Sequence, residues 1–147
     1  MAPNDSPPHT KAAVLAIMRA ADALRRRGMA LLAPYGLTPQ QFNVLRILRG
    51  ARPNGLCTLT IAERMIEQTP GITRLIDRLE QKQLVVRVRS DDDRRQVWCR
   101  ITPAGLQLLA RLDTPVGDFD RAVVTRLTRA DQLELARLLE LVHQEPD

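Results

Sequence analysis

The hydrophobic period of the sequence changes near its middle, and this change constrains the fold more than any other feature. From residue 60 to residue 81 the apolar side chains recur every three or four positions, in two short segments whose second begins two residues after Glu67. This spacing predicts two short amphipathic helices joined by a tight turn, which is the helix-turn-helix arrangement. Residues 84–89 and 96–101 are instead β-branched and near-alternating, and they flank a polar tip at 90–95. The pattern therefore predicts a helix-turn-helix followed by a β-hairpin, or wing.

Start signals predict where the two short helices begin. Thr60 and Glu63 have the spacing of a capping box, so the first of the two short helices is expected to begin at Thr60. Thr69 supplies an N-cap hydroxyl and Pro70 suits the first helical position. These residues predict that the second of the two short helices begins there.

Two longer amphipathic patterns precede this region. Residues 10–32 carry an apolar stripe that predicts a first helix. Thr38 and Gln41 then form a capping box, with Pro39 between them, and predict a second helix that ends near Gly50.

Two more helices are expected after the wing. Thr102 and Pro103 open the first of them, and Pro115 is expected to kink or break it. Thr128 caps the last helix, with Asp131 three residues further on. The predicted fold class is therefore mainly α with a small β-wing, a winged helix-turn-helix with further helices at both ends of the chain.

Charge is distributed unevenly along the chain. The segment from Arg46 to Arg100 contains twelve Lys or Arg and seven Asp or Glu, while residues 101–147 carry a net charge of −3. A basic middle and an acidic C-terminal third are typical of a protein with one face for nucleic acid and a separate face for another partner.

The second short helix carries the groups that recognition of a duplex requires. A recognition helix enters the major groove with its N-terminal residues toward the base edges, and its free amides favour phosphate. The small residues near its start permit close approach, and Arg74 can form two hydrogen bonds with guanine. Arg78, one turn further on, can reach a phosphate or a base. The alternative is that Thr69 only caps the helix and Arg74 is only a solvated surface residue.

The wing tip is the second candidate element. An arginine at a hairpin tip can enter the minor groove, where narrow A·T stretches concentrate negative potential; the alternative is an ordinary charged turn. The run of aspartates at 91–93 lacks the glycine and the distant ligands of a calcium loop, so no metal site is expected. The residues expected to contact DNA are Thr60, Thr69, Pro70, Gly71, Thr73, Arg74, Arg78, Asp93, Arg94 and Arg95.

Several segments of this region resemble the MarR (multiple antibiotic resistance regulator) family. They are Leu59–Glu63, Gly71–Glu80, Leu84–Arg87, Asp93–Arg95 and Ile101–Gly105, together with Leu37–Phe42 before them. The resemblance implies a dimeric repressor or activator whose terminal helices pair across a two-fold axis. It also implies that the second short helix, the fourth helix of the chain, lies in the major groove, and that Arg95 reaches the minor groove with Asp93 orienting it. It further implies an effector pocket between the dimerisation helices and the winged lobe.

Gln83 departs from the family pattern, which usually has glycine before the wing strand. A turn with positive φ costs more free energy without glycine, so the local geometry is the part of the fold that this departure puts in question.

The resemblance and the apolar stripes together predict the domain organisation. We expect a flexible leader at 1–9, a helical dimerisation region formed by 10–36 and 103–147, and a winged helix-turn-helix lobe at 37–102. The stripes of the first and last helices are wider than one small lobe needs, and a homodimer buries them while it places two recognition helices about one DNA turn apart.

Sensing residues are less sharply indicated. By family position, a small aromatic or phenolic effector is expected among Met18, Tyr35, Phe42 and Arg46; the alternative is that these are core and loop residues. A thiol-based redox response through Cys57 or Cys99 is a second alternative, because a nearby cation lowers a thiol pKa.

Other functional classes find little support in the sequence. His9 and His143 have no partner set, and neither a nucleophile motif nor a glycine-rich phosphate loop is present, so we expect no enzymatic activity and no cofactor. Without an export signal or an apolar run of ~18 residues, the expected compartment is the cytoplasm, with no membrane partner. Two rivals remain: a DNA-binding architectural protein without sequence preference, and a protein that keeps the winged fold but uses it for protein contacts.

Overall fold

The computed structural model describes residues 6–68 and 70–144, and within them it contains six α-helices and a small sheet. In chain order the elements are α1 (Pro8–Leu32), a 3₁₀ turn (Ala33–Tyr35), α2 (Pro39–Gly50), β1 (Leu56–Cys57), α3 (Thr58–Arg64), α4 (Ile72–Gln81), β2 (Val85–Arg89), β3 (Val97–Ile101), α5 (Pro103–Val123) and α6 (Arg129–His143). The mainly α fold class with a winged helix-turn-helix is confirmed.

The chain divides into two compact units, Met1–Leu112 and Asp113–Asp147. The core of the first unit is built from the inward faces of α2, α3 and α4, closed by β3 and the first turns of α5. Its fully buried side chains are Val44, Leu45, Leu48, Ile61, Ile76, Leu79, Val85, Cys99, Leu109 and Leu112. In the second unit, by contrast, α6 buries none of its own residues.

The sheet is antiparallel, with the strand order β1-β3-β2. The predicted hairpin is confirmed, since Val85 pairs with Ile101 and Arg89 pairs with Val97. The two-residue strand β1, which places Leu56 opposite Cys99, was not predicted.

Both predicted capping boxes at the longer helices are confirmed. The Gln41 amide N–H donates to the Thr38 hydroxyl at 3.2 Å, and the Thr38 N–H donates to the Gln41 side chain at 3.1 Å. Thr128 and Asp131 make the same reciprocal pair at the start of α6, at 3.2 and 3.0 Å.

The predicted start of α3 is wrong. The helix begins at Thr58 with Cys57 as its N-cap and without a capping side chain, so Thr60 lies inside the helix. The Thr60 hydroxyl lies 3.1 Å from the Cys57 sulfur. This contact engages the hydroxyl that the expected capping box would have used.

The predicted start of α4 is also wrong. The helix begins at Ile72, and its N-cap is Gly71 with φ +86°. Thr69, the expected N-cap, lies outside the described residues, and Pro70 is in the turn that precedes the helix. Glycine adopts this left-handed conformation without steric cost, which explains how the chain turns sharply into the helix at Gly71.

The ends of α1 and α5 differ from the prediction in smaller ways. The first helix begins at Pro8 rather than at residue 10, because proline is well suited to the first helical position. The expected leader overlaps the helix there, and residues 1–5 lie outside the described range. Pro115 does not break α5, which continues to Val123.

Candidate nucleic-acid interface

The exposed side of α4 is the centre of the candidate interface. Ile76 and Leu79 are fully buried and fix the helix to the core. On the other side Thr73, Arg74 and Arg78 are exposed. The first turn therefore presents a hydroxyl and a guanidinium to solvent beside free backbone amides, which is the arrangement that major-groove recognition needs.

Two hydrogen bonds join side chains of α2 to the turn that precedes α4. The Asn43 side-chain oxygen accepts a hydrogen bond from the Ile66 N–H at 2.9 Å, and the Gln40 amide donates to Glu67 at 3.1 Å. These contacts were not predicted, since nothing in the local sequence indicates that two α2 side chains reach residues more than twenty positions away.

Gln83 follows the end of α4 and adopts the positive-φ conformation for which the family usually has glycine. Its φ is +59°. The Leu84 N–H donates to the Leu79 carbonyl at 3.0 Å and the Gln83 N–H donates to the Glu80 carbonyl at 2.8 Å. This pair of bonds is a Schellman motif, in which glycine is the usual left-handed residue.

Arg87 of β2 connects the wing to α4. Its guanidinium lies 2.6 Å from the Asp77 carboxylate and 2.7 Å from the Glu80 carboxylate. Partial burial lowers the pKa of Arg87, but the hydrogen bonds that its guanidinium donates to Asp77 and Glu80, together with their negative charges, outweigh that effect and leave the pKa above its ordinary value. Arg87 is therefore charged at every accessible pH.

The wing tip exposes Asp93, Arg94 and Arg95. The Asp93 carboxylate accepts a hydrogen bond from the Arg95 backbone N–H at 3.0 Å, and the Gln96 N–H donates to the Asp93 carbonyl at 2.9 Å. Asp93 thus orders the turn through the backbone, and the side chain of Arg95 projects from an ordered tip.

The comparisons with known proteins agree with this geometry. A profile of the MarR family matches residues 37–97, which is most of the predicted DNA-binding lobe. A MarR transcription factor from Planctomyces limnophilus is 38% identical, with a TM-score of 0.71, and the alignment covers 95% of this chain and 99% of that one. This chain belongs to the MarR family of transcriptional regulators.

Two further relatives add functional context to this MarR regulator. The homoprotocatechuate degradative operon repressor of Escherichia coli is 26% identical over 126 residues, which are 86% of this chain and 84% of that one. A mutant MarR from E. coli, solved in complex with operator DNA, is 25% identical with a TM-score of 0.78, and the alignment covers 93% of this chain and 99% of that one.

Among the expected effector residues of this MarR regulator, Phe42 and Arg46 form an aromatic–cation pair, and Tyr35 pairs with a residue outside the expected set. The Arg46 guanidinium lies 5.7 Å from the centre of the Phe42 ring, and Arg111, which was not predicted, lies 5.7 Å from the Tyr35 ring. Both rings are half-buried, whereas Met18 on α1 is exposed. An aromatic ring beside a guanidinium suits a ligand that is itself aromatic and anionic.

The two cysteines differ in environment. Cys57 is half-buried, and hydrogen bonding from the Thr60 hydroxyl lowers the pKa of its thiol. Cys99 is fully buried, and burial raises the pKa of its thiol despite a hydrogen bond from Thr58. Cys57 is therefore expected to be the more reactive of the two.

Within residues 6–68 and 70–144, no cluster of His, Cys, Asp or Glu has a geometry suited to a metal ion. Over the same ranges, no helix has both the length and the apolar content needed to cross a membrane.

Proposed function

We propose that this regulator is a homodimeric repressor that binds a pseudo-palindromic operator, has no catalytic activity of its own and releases DNA when a small aromatic effector binds. The observation that carries the proposal is the exposed first turn of α4, where Thr73 and Arg74 stand on a helix whose opposite face is buried. The complex of E. coli MarR with operator DNA supports the choice of DNA as the ligand.

Base reading is assigned to the predicted residues on α4 and in the wing. Arg74 and Arg78 provide guanidinium groups for guanine edges and phosphates in the major groove. The wing-tip residues Arg94 and Arg95 provide a contact in the minor groove. Thr60, Thr69, Pro70, Gly71, Thr73 and Asp93 stay predicted contacts or supports of this interface.

Dimerisation is supported by apolar surface that the chain leaves uncovered. In α6 no residue is buried, yet six large apolar side chains are exposed: Leu133, Leu135, Leu138, Leu139, Leu141 and Val142. In α1, Val14, Leu15 and Met18 are about half exposed or more. Because a helix gains most of its stability by burying an apolar face, a second copy of the chain is the natural partner.

Selection of duplexes from a random library tests the proposal. The purified protein is incubated with the library at about 150 mM salt, and the retained duplexes are sequenced. We expect enrichment of an inverted repeat whose half-sites lie about one helical turn apart. Sedimentation at micromolar concentration gives the oligomeric state in parallel, and a monomer there contradicts the dimer.

The same selection separates the regulator from an architectural protein. Retention without a shared motif, with affinity that tracks only salt, would support the architectural alternative. Absence of any retention would contradict DNA binding by the purified, effector-free protein.

For the effector, the proposal is a phenolic acid bound near Phe42 and Arg46, with Tyr35 and Met18 as further contacts. The aromatic–cation pairs support this chemistry, as does the E. coli relative that represses a homoprotocatechuate degradative operon. The test is release of the selected duplex by homoprotocatechuate, with Arg46→Ala expected to raise the concentration required. A ligand that releases both proteins equally well argues against Arg46.

A thiol response through Cys57 is the second candidate, favoured by the contact of its sulfur with Thr60 at 3.1 Å. A hydroperoxide would oxidise the thiolate to a sulfenic acid and would itself be reduced to an alcohol. Because Cys57 occupies the N-cap position of α3 and its sulfur contacts Thr60 inside that helix, the added oxygen would disturb α3. Loss of DNA binding on peroxide treatment that is absent in Cys57→Ser would support this route.

A further inference from the structure

Arg87, in the middle of β2, contacts three residues along α4. Its guanidinium pairs with Asp77 at 2.6 Å and with Glu80 at 2.7 Å, and it donates to the Thr73 carbonyl at 3.3 Å. Thr73 and Glu80 are seven residues apart, which is about 10 Å along a helix. One side chain therefore fastens roughly two turns of α4.

The Glu80 carboxylate accepts two hydrogen bonds from Arg87. Besides the guanidinium contact, one of its oxygens accepts the Arg87 backbone N–H at 3.2 Å. The Arg87 side chain is only 23% exposed, so these contacts are partly shielded from water and from salt. Arg87 thus contacts both oxygens of the Glu80 carboxylate, one through its backbone N–H and one through its guanidinium, which fixes orientation better than an isolated surface ion pair does.

We propose that Arg87 is a positioning residue for DNA recognition, which locks the recognition helix to the wing so that both meet the duplex in one fixed geometry. The inference rests on the proposed function. Thr73, whose carbonyl Arg87 holds, is adjacent to the base-reading Arg74, so a rotation of α4 would displace that guanidinium directly.

The alternative role for Arg87 is a direct phosphate contact. Two carboxylates surround its single positive charge, so the cluster of Arg87, Asp77 and Glu80 has a net charge of −1. A cluster of that sign repels a phosphate, which makes positioning the better explanation.

The two roles predict different effects of neutralising the carboxylates, one on the affinity for every duplex and the other on the ratio of affinities. In Asp77→Asn with Glu80→Gln, two negative charges beside the DNA face disappear. Electrostatics alone then predicts tighter binding to every duplex. Positioning predicts that the ratio of operator affinity to scrambled-duplex affinity falls by about tenfold or more, out of the large ratio typical of specific binders.

The measurement is that ratio for the wild type, the double carboxylate variant, Arg87→Met and Arg87→Lys, using the operator selected for the wild type. The matched control is Arg89→Met, which removes an exposed arginine from the same strand. We expect the control to weaken both duplexes equally and Arg87→Met to lower the ratio. Arg87→Lys should recover it only in part, because one ammonium group cannot replace the two guanidinium nitrogens that contact Asp77 and Glu80.

Urea unfolding of each variant separates misfolding from misplacement. If the double variant is unfolded, Glu80→Gln alone decides, since it keeps the shape of the side chain and removes its charge. An unchanged ratio in a folded carboxylate variant overturns the positioning role. Failure of the wild type to enrich any operator contradicts the proposed function instead, so the two failures are distinguishable.

Discussion

The Thr102 hydroxyl donates a 2.7 Å hydrogen bond to the backbone carbonyl of Gln83. The same hydroxyl accepts the Gly105 N–H at 3.1 Å, so Thr102 joins the end of the α4–β2 turn to the start of α5. Among the described residues, Gln83 is the one other than glycine with a positive φ. The surrounding hydrogen bonds hold it in a conformation that its own side chain disfavours.

Gln83→Gly is expected to stabilise the protein. Glycine removes the steric cost of the left-handed conformation, roughly 1–2 kcal/mol, but makes the unfolded chain more flexible, so the net gain in the free energy of unfolding is about 0.5–1 kcal/mol. Urea unfolding at one fixed protein concentration measures it, because stability of a dimer depends on concentration. Gln83→Ala is the control and is expected to show no such gain. A loss of stability in Gln83→Gly would contradict the strain argument.

Gly105→Ala is expected to destabilise the protein by about 1–3 kcal/mol through overpacking. A Cβ at this position would lie 2.6 Å from the Leu84 carbonyl oxygen and 2.7 Å from Cγ1 of Ile101. The matched control is Gly50→Ala, where a Cβ meets nothing within 4 Å. Thermal unfolding of the two variants should separate them clearly, and equal midpoints would mean that the backbone near Gly105 relaxes freely.

Several features that depend on neighbouring residues were predictable from the sequence, although the capping box expected at Thr60 was not among them. The capping boxes at Thr38 and Thr128 were found because both partners lie within three residues of each other. The wing was found because its alternating pattern is local as well. The small residues and arginines at 71–78 indicated the expected role of the exposed α4 face, and the family resemblance implied the same role.

Features that depend on distant contacts were missed. Strand β1 is two residues long and exists only because Leu56 pairs with Cys99, more than forty positions away. The start of α4 was misplaced although it is a local feature, because the hydroxyl and proline signal at 69–70 is strong and a left-handed Gly71 as the N-cap leaves no pattern. The three contacts of Arg87 likewise required the packed arrangement of strand and helix.

Cys57 is expected to react with iodoacetamide at lower pH than an ordinary thiol. The Thr60 hydroxyl stabilises the thiolate and lowers the thiol pKa, so the alkylation rate should rise with a midpoint below the ordinary value. In Thr60→Val that hydrogen bond is lost, the midpoint moves up, and alkylation at neutral pH slows. Cys99 is fully buried and should remain unmodified until the protein unfolds, which Cys57→Ser verifies. An unchanged pH profile in Thr60→Val would exclude Thr60 as the cause.

Arg74→Ala is expected to weaken binding to the selected operator by about 1–3 kcal/mol and to relax specificity at one base position. This loss is expected because the exposed guanidinium is proposed to form two hydrogen bonds with a guanine edge, which alanine cannot replace. Arg129→Ala, which removes an exposed arginine from the first turn of α6, is the control and should leave operator affinity unchanged. Titration of each variant against the operator and against duplexes substituted at single positions gives both quantities. A uniform loss over all duplexes, with the salt dependence reduced by about one ion, would instead make Arg74 a phosphate contact and move base reading to Thr73 and Arg78.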